Sequence, residues 1–194
     1  MRLVVAISGA SGAIYGIRTL DTLRRLKVET HLVLTKAALE TIRLETDYKR
    51  ADVERLATET HAVDDLTSKI SSGSFPTDGM VVVPCSMKTL GGIASGYSDN
   101  LVLRAADVTM KERRPLVLVV RETPLSLIHL ENMVTVTKAG AVVLPAMPAF
   151  YTRPTSIDAI VDQVVGKALD ALGVQHNLTK RWDGPAGPGR KTPR

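Results

Sequence analysis

The sequence is poor in cysteine and contains no long apolar run. Cys85 is the single cysteine among 194 residues, so no disulfide can form within the chain, which favours a reducing cytoplasm. No apolar stretch approaches the roughly 18 residues that a membrane-spanning helix needs. The apolar segment Leu3–Ile7 lacks the longer apolar region of a secretory signal, and we interpret it as a buried strand.

A basic stripe is also missing from the body of the chain. The net charge is +5, but five cations against the single carboxylate of Asp183 fall from Lys180 onward, which leaves +1 for the rest. Because no basic stripe interleaved with aromatic residues remains, we expect no nucleic-acid binding. We expect one domain over residues 1–182, followed by a disordered basic Gly/Pro tail over residues 183–194.

The signatures of several catalytic classes are absent. No metal-ligand spacing occurs among the four histidines, so no metal site is expected; they are His31, His61, His129 and His176. No G-x-S-x-G motif is present, which argues against a serine hydrolase. Cys85 has no obvious base beside it in the sequence, and we interpret it as a buried apolar side chain rather than a nucleophile.

What the sequence does contain is an alternation of β-branched apolar runs with segments of helical period, which predicts an α/β fold with an open, doubly wound parallel sheet. Strands are predicted at Leu3–Ile7, Thr30–Thr35, Gly79–Pro84, Pro115–Val120 and Ala141–Leu144. Helices are predicted at Ala13–Leu26, Lys36–Leu44, Val53–Thr60, Asn100–Glu112, Leu125–Thr137 and Ser156–Leu172. Val81–Val83 and Leu116–Val120 show no alternation, which is typical of strands buried on both faces.

Small, hydroxyl-bearing and charged residues follow these strands. Ligands of such sheets bind outside the carboxyl ends of the strands. We therefore expect one polar pocket formed by the segments Ser8–Gly12, Thr35–Lys36, Cys85–Thr89, Arg121–Pro124 and Pro145–Pro154.

Two of these segments suit a phosphate group. Gly9 and Gly12 stand in a turn between a strand and a helix, where free backbone N–H groups bind anions. The spacing is neither a dinucleotide fingerprint nor a P-loop, and a tight bend alone is an alternative explanation for the glycines. Ser86–Thr89 offers hydroxyls and helix-start amides for a phosphate or a polar ring edge.

Arg121 and Glu122 directly continue a buried strand and therefore emerge at its carboxyl end. We predict that Arg121 binds a phosphate and that Glu122 moves a proton. The charged run Lys111–Arg114, in contrast, is interpreted from spacing alone as the solvated end of a helix.

Seven ordered segments resemble the UbiX-type flavin prenyltransferases, and the resemblance runs from about residue 2 to residue 182. They are Ser8–Gly16, Ile70–Phe75, Pro84–Leu90, Arg104–Val108, Lys111–Leu116, Arg121–Leu125 and Pro148–Pro154. The resemblance implies a Rossmann- or flavodoxin-like three-layer sandwich. It also implies that reduced FMN and dimethylallyl monophosphate are joined, without a metal, into a prenylated flavin that passes to UbiD-type decarboxylases.

The resemblance also implies roles for individual residues. FMN would be held by Gly9, Ala10, Ser11, Thr35, Ser86, Met87, Thr89 and Arg121. Ser11 and Glu122 would handle protons, so that with Tyr151 they form the expected catalytic set. The prenyl donor would be bound by Lys111, Arg121, Tyr151 and Lys167, with Arg104 close by and Trp182 facing the carbon fragment. Arg104 and Lys111 reach a neighbouring subunit's site in the family, which implies a homo-oligomer, expected to be a dodecamer.

Two positions depart from the family pattern. Lys167 stands where arginine is more common, which puts bidentate phosphate binding in doubt, and Thr35 stands where serine is common. Whether the donor is a monophosphate or a diphosphate, and whether ubiquinone biosynthesis or aromatic acid degradation is served, stays open.

Two other functions compete with this interpretation. A flavin-dependent cysteine decarboxylase shares the architecture but uses an early histidine and a Pro-x-Met-Asn segment, whereas this chain has Pro145–Pro148 without asparagine. A non-catalytic FMN carrier is the second alternative, although a carrier needs no second phosphate site.

Overall fold

Six parallel strands form one open sheet in the computed structural model, which describes residues 1–179. The strands are β1 (Arg2–Ile7), β2 (Glu29–Leu34), β3 (Glu59–His61), β4 (Gly79–Cys85), β5 (Leu116–Val120) and β6 (Val142–Val143). Their spatial order is β3-β2-β1-β4-β5-β6, and every pair is parallel. The winding reverses between β1 and β4, so the predicted doubly wound sheet is confirmed, and this point is where such folds bind ligands.

Helices cover both faces of the sheet. They are α1 (Ala13–Arg25), α2 (Lys36–Glu45), α3 (Arg50–Glu54), α4 (Met87–Ser95), α5 (Leu101–Lys111), α6 (Leu127–Lys138) and α7 (Ile157–Ala171). Alternate residues of β1 enter opposite cores: Val5 packs with α1, α2 and α7, whereas Val4 packs with α4 and α5. Two apolar cores explain why the central strands are apolar without alternation. Among residues 1–179, no helix combines the length and the apolar character that crossing a bilayer requires.

The two edges of the sheet differ from the prediction. The helix predicted over Val53–Thr60 is wrong beyond its first two residues: α3 spans Arg50–Glu54, and Glu59–His61 is the edge strand β3. This strand has three residues and no apolar alternation, and its pairing with β2 is what defines it. The strand predicted over Ala141–Leu144 is only two residues long and lies at the other edge, not in the centre.

A bidentate ion pair joins α1 to α7. Arg18 Nε lies 2.6 Å from Asp162 Oδ1, and Arg18 Nη2 lies 2.9 Å from Asp162 Oδ2. Both side chains are partly buried, a setting in which two parallel charge-assisted bonds fix geometry as well as energy. The middle of α1 and the middle of α7 therefore keep a defined separation.

Candidate functional site

Ser8 fixes the point at which the winding of the sheet reverses. Its fully buried hydroxyl donates to the Pro84 carbonyl at 2.9 Å and accepts from the Ser86 N–H at 2.8 Å. One side chain thus links the segment after β1 to the segment after β4. Both segments border the carboxyl edge of the sheet, where the predicted ligand-binding residues lie.

Two helices start at this edge with hydroxyl caps. Thr35 Oγ1 accepts from Ala38 N at 3.0 Å at the start of α2, and Ser86 Oγ accepts from Thr89 N at 3.3 Å at the start of α4. Other N–H groups of a first helical turn have no partner within the helix. These amides, together with the dipoles of the two helices, suit the phosphate or a polar ring edge of a ligand.

A cavity of about 810 Å³ opens between these helix starts. Six of the predicted site residues line it: Gly9, Thr35, Ser86, Met87, Thr89 and Glu122. Lys36, Lys88, Val63 and Asp64 also line it. Its volume lies in the range of about 300–1,000 Å³ that is typical of small-molecule and cofactor sites.

Both glycines of the first loop have a structural reason to be glycine. A Cβ on Gly9 would lie 2.3 Å from Ala37 Cβ, because the start of α2 packs directly against the loop. Gly12 has φ +99°, a left-handed conformation that favours glycine. The tight-bend interpretation is therefore correct for Gly12, whereas Gly9 serves close packing and also borders the cavity.

Glu45 occupies the amides that the sequence suggested for a phosphate. Its Oε2 accepts from Gly12 N at 2.8 Å and from Ala13 N at 3.0 Å, so it caps α1. The prediction of a free anion site at this helix start is wrong for these two groups. Glu45 is the last residue of α2, where the helix dipole favours a cation, and this mismatch is the signal that sequence reasoning missed. The carboxylate lies beside the exposed Ser11.

Arg121 and Glu122 emerge at the carboxyl end of β5 as predicted. The Arg121 N–H donates to the Cys85 carbonyl at 3.2 Å, and the Glu122 side chain lines the cavity and accepts from Thr123 N at 2.9 Å. Burial raises the pKa of Tyr15, and the positive charge of Arg121 counteracts this rise. The charge of Arg121 therefore lies close enough to the Tyr15 hydroxyl, in the first turn of α1, to affect it.

A second cavity, of about 490 Å³, lies between the end of β6 and α7. Tyr151 and Lys167 both line it, together with Met147, Ala149 and Gln163. The side-chain amide of Gln163 forms two hydrogen bonds to the loop that carries Tyr151. Ala149 N donates to Gln163 Oε1 at 3.0 Å, and Gln163 Nε2 donates to Thr152 Oγ1.

Arg104 and Lys111 line neither cavity. Arg104 donates to the Ser71 carbonyl at 3.1 Å and to Asp107 at 2.8 Å, and Lys111 pairs with Glu112. The Lys111 ammonium lowers the pKa of the Glu112 carboxyl. Both cations border the segment Ser71–Gly73, because a Cβ on Gly73 would lie 2.8 Å from Lys111 Nζ. Trp182 and the predicted tail lie outside the described residues.

Cys85 is fully buried at the end of β4, and this burial raises its pKa to about 12. The thiol is therefore protonated and is not a nucleophile. This agrees with its interpretation as a small apolar side chain.

Comparison with known proteins shows the family to which this chain belongs. The chain matches the Flavoprotein family over residues 1–178. It is 54% identical to the flavin prenyltransferase UbiX of Escherichia coli strain K12 over 186 residues, covering 94% of this chain and 98% of that protein. The structure of AnUbiX (PadA1) in complex with FMN and dimethylallyl pyrophosphate has a TM-score of 0.94 and 55% identity, over 95% of this chain and 98% of that one. A dodecameric FMN-dependent Ubix-like decarboxylase from Escherichia coli O157:H7 has a TM-score of 0.93 and 54% identity, over 95% and 100%.

The chain belongs to the Flavoprotein family, and within it to the UbiX-type flavin prenyltransferases. The predicted family, fold and enzyme class are therefore confirmed. The roles of the individual site residues stay predictions.

Proposed function

We propose that the chain joins a dimethylallyl group from dimethylallyl monophosphate to reduced FMN and releases phosphate. The observation that carries this proposal is the pairing of two cavities at one sheet edge. The larger cavity gathers hydroxyls and two helix starts, and the smaller gathers Tyr151 and Lys167. A binding protein for flavin alone would need only the first.

FMN occupies the larger cavity as a substrate. Thr35, Ser86 and Thr89 supply hydroxyls, the starts of α2 and α4 supply amides, and Met87 supplies an apolar contact. Gly9 borders this cavity, with Ala10 and Ser11 following in the same loop. Arg121 supplies positive charge beside this loop.

The prenyl donor occupies the smaller cavity. When the allylic C–O bond breaks, its electron pair leaves with the phosphate, and a cation-like carbon fragment remains. The Lys167 ammonium stabilises the leaving phosphate, and the Tyr151 ring faces the fragment. Arg121 stands at the end of β5, whose neighbours in the sheet are β4 on the flavin side and β6 on the donor side.

Proton transfer falls to groups on the flavin side. The new bonds form at the central-ring nitrogen and at a neighbouring benzo-ring carbon of the flavin, so one proton leaves each atom. The second bond consumes the prenyl double bond, whose other carbon gains one proton, so that one proton is released overall. The Glu122 residue lines the flavin cavity, and its carboxylate is placed to accept a proton and to pass it on. The Glu45 carboxylate, which accepts from the Gly12 N–H directly after Ser11, is a second acidic group at the start of α1.

The donor half is completed by a neighbouring copy of the chain in this proposal. Arg104 and Lys111 border Ser71–Gly73, outside both cavities of their own chain. Large apolar side chains are exposed on α6 and on the loop before α7, including Leu127, Ile128, Val134, Met147 and Phe150. These features support a homo-oligomer, and the dodecamer of the Escherichia coli O157:H7 relative favours twelve copies. The prenylated flavin would pass to a UbiD-type decarboxylase. We place this reaction in the reducing cytoplasm, because the free thiol of Cys85 fits a reducing compartment.

The direct test is mass spectrometry of the flavin after anaerobic incubation with reduced FMN and dimethylallyl monophosphate. We expect a flavin heavier by one five-carbon unit. The Glu40→Gln variant, which changes an exposed carboxylate on α2 away from the site, is the matched control and should give the same product. Unmodified FMN with both the monophosphate and the diphosphate donor would contradict the transferase and favour a flavin carrier.

A further inference from the structure

Three side chains with metal-binding atoms converge at the β2–β3 edge, outside both cavities. They are His31, Glu59 and His61, and one ligand atom from each lies within 4.8 Å of the others. The parallel register explains the convergence: His31 of β2 pairs with Glu59 of β3. His61 follows two residues later on the same face of β3, since side chains alternate along a strand.

The distances are close to those of a coordination sphere. His31 Nδ1 lies 2.9 Å from His61 Nε2, and the Glu59 carboxylate oxygens lie 3.9 Å from the first nitrogen and 3.8 Å from the second. Around tetrahedral Zn²⁺, with metal–nitrogen distances of about 2.0–2.1 Å, ligand atoms are roughly 3.3 Å apart. Shifts of a few tenths of an ångström therefore suffice.

The outer nitrogen of each imidazole already has a hydrogen-bond partner. His31 Nε2 lies 3.1 Å from Glu29 Oε1, and His61 Nδ1 lies 2.8 Å from Ser68 Oγ. Histidines that bind a metal usually donate their second N–H to such a partner, which orients the ring. When both outer nitrogens carry their protons, both inner nitrogens present lone pairs to the same point.

We propose that His31, Glu59 and His61 bind one divalent cation of the zinc type. Two imidazoles and one carboxylate are a ligand set that suits Zn²⁺. The histidines are buried, whereas the Glu59 side chain is 43% exposed and gives access from solvent. The cation would cross-link the three-residue strand β3 to β2, immediately before Val63 and Asp64 of the larger cavity. Its role is structural and separate from prenyl transfer.

Lys69 allows a test in which two variants change cation affinity in opposite directions. Its Nζ lies 2.5 Å from Glu59 Oε2, so the ammonium competes with a cation for the same carboxylate. Lys69→Met should therefore tighten binding, and Glu59→Gln should weaken it. No known ligand spacing links residues 31, 59 and 61, which is why the sequence alone led to the expectation of no metal site.

The experiment is calorimetric titration of the chelator-treated full chain with Zn²⁺, with the Co²⁺ absorption spectrum as a second probe. We expect one site, tetrahedral Co²⁺ bands, and loss of both signals in His61→Gln. Glu29→Gln, which changes the side chain that His31 shares with Arg2, should weaken binding by about tenfold. His129→Gln removes a partly buried histidine on α6, away from the cluster, and is the matched control, with unchanged binding.

The opposite effects of the two exposed variants keep the test decisive if His61→Gln fails to fold. Tighter Zn²⁺ binding in Lys69→Met together with weaker binding in Glu59→Gln supports the site. The absence of saturable Zn²⁺ binding, or binding that neither variant changes, overturns it.

Discussion

The two cavities at the carboxyl edge are built in different ways. The larger one is enclosed by regular elements: strand ends tied by the buried Ser8, and helix starts capped by Thr35 and Ser86. The smaller one is formed by the irregular segment between β6 and α7, in which Met147, Phe150 and Tyr151 are exposed. In the proposed function, the flavin half is thus organised within one chain, whereas the donor half depends on Gln163 and on groups outside its own cavity.

Among the variants that distinguish the flavin cavity from the donor cavity, Glu122→Gln is expected to have the largest effect on the reaction rate. Removing the carboxylate from the flavin cavity should slow formation of prenylated flavin by about 100-fold, because general bases typically contribute that much. FMN affinity should change little, since the side chain keeps its size. Product is measured by mass spectrometry under single-turnover conditions, and FMN affinity is measured by fluorescence quenching. A variant with the parental rate would remove Glu122 from the proposed chemistry.

Ser8→Ala tests the rigidity of the flavin half. The substitution leaves the Ser86 N–H and the Pro84 carbonyl without their hydroxyl partner inside a buried site. We expect the free energy of unfolding to fall by about 1–3 kcal/mol, with weaker FMN binding. Urea denaturation measures the first quantity. Ser74→Ala, at an exposed serine, is the control and should be close to neutral.

Gln163→Ala tests the donor half in the same way. Without its amide, the loop that carries Tyr151 loses the bonds to Ala149 and Thr152. We expect the KM for dimethylallyl monophosphate to rise by about tenfold, since misplaced binding groups reduce effective concentration, while FMN affinity stays within error. Steady-state kinetics at saturating reduced FMN measure this, with Gln175→Ala at an exposed position as the control. A fall in kcat alone would show that Gln163 does not act through donor binding.

The smallest effect is expected for Lys167→Arg. A guanidinium can form two parallel bonds to a phosphate, whereas an ammonium acts as a point charge. We expect the KM for the donor to fall by about threefold, with no change in flavin affinity, in the same kinetic assay. An increase in KM would mean that the cavity beside Tyr151 is shaped for lysine.

Sequence reasoning predicted the elements whose signal is local. The central strands and α1, α5 and α7 were found because buried apolar runs and helical periods are visible within a dozen residues. The strand β3 was missed because three polar residues become a strand only by pairing with β2. For the same reason the link from Glu45 to Gly12 and the convergence of His31 with Glu59 were not visible. Both depend on partners that are distant in sequence and adjacent only in the folded sheet.

The site residues, like the secondary-structure elements, were predicted where the signal is local in the sequence. Residues directly after predicted strands, such as Thr35, Ser86 and Glu122, were placed at one edge by topology alone, and the structure gathers them. Arg104 and Lys111 were assigned by resemblance, and they lie apart from the cavities of their own chain. Gln163 was missed because its role depends on the course of an irregular loop.

The Arg18–Asp162 pair sets the distance between helices α1 and α7. Arg18 belongs to the helix that begins near Ser11, and Asp162 adjoins Gln163 and stands five residues before Lys167. The pair therefore fixes the distance between α1 and α7. In the proposed function, the separation of the two reactants is thus set before either one binds, and no closure of the site is needed.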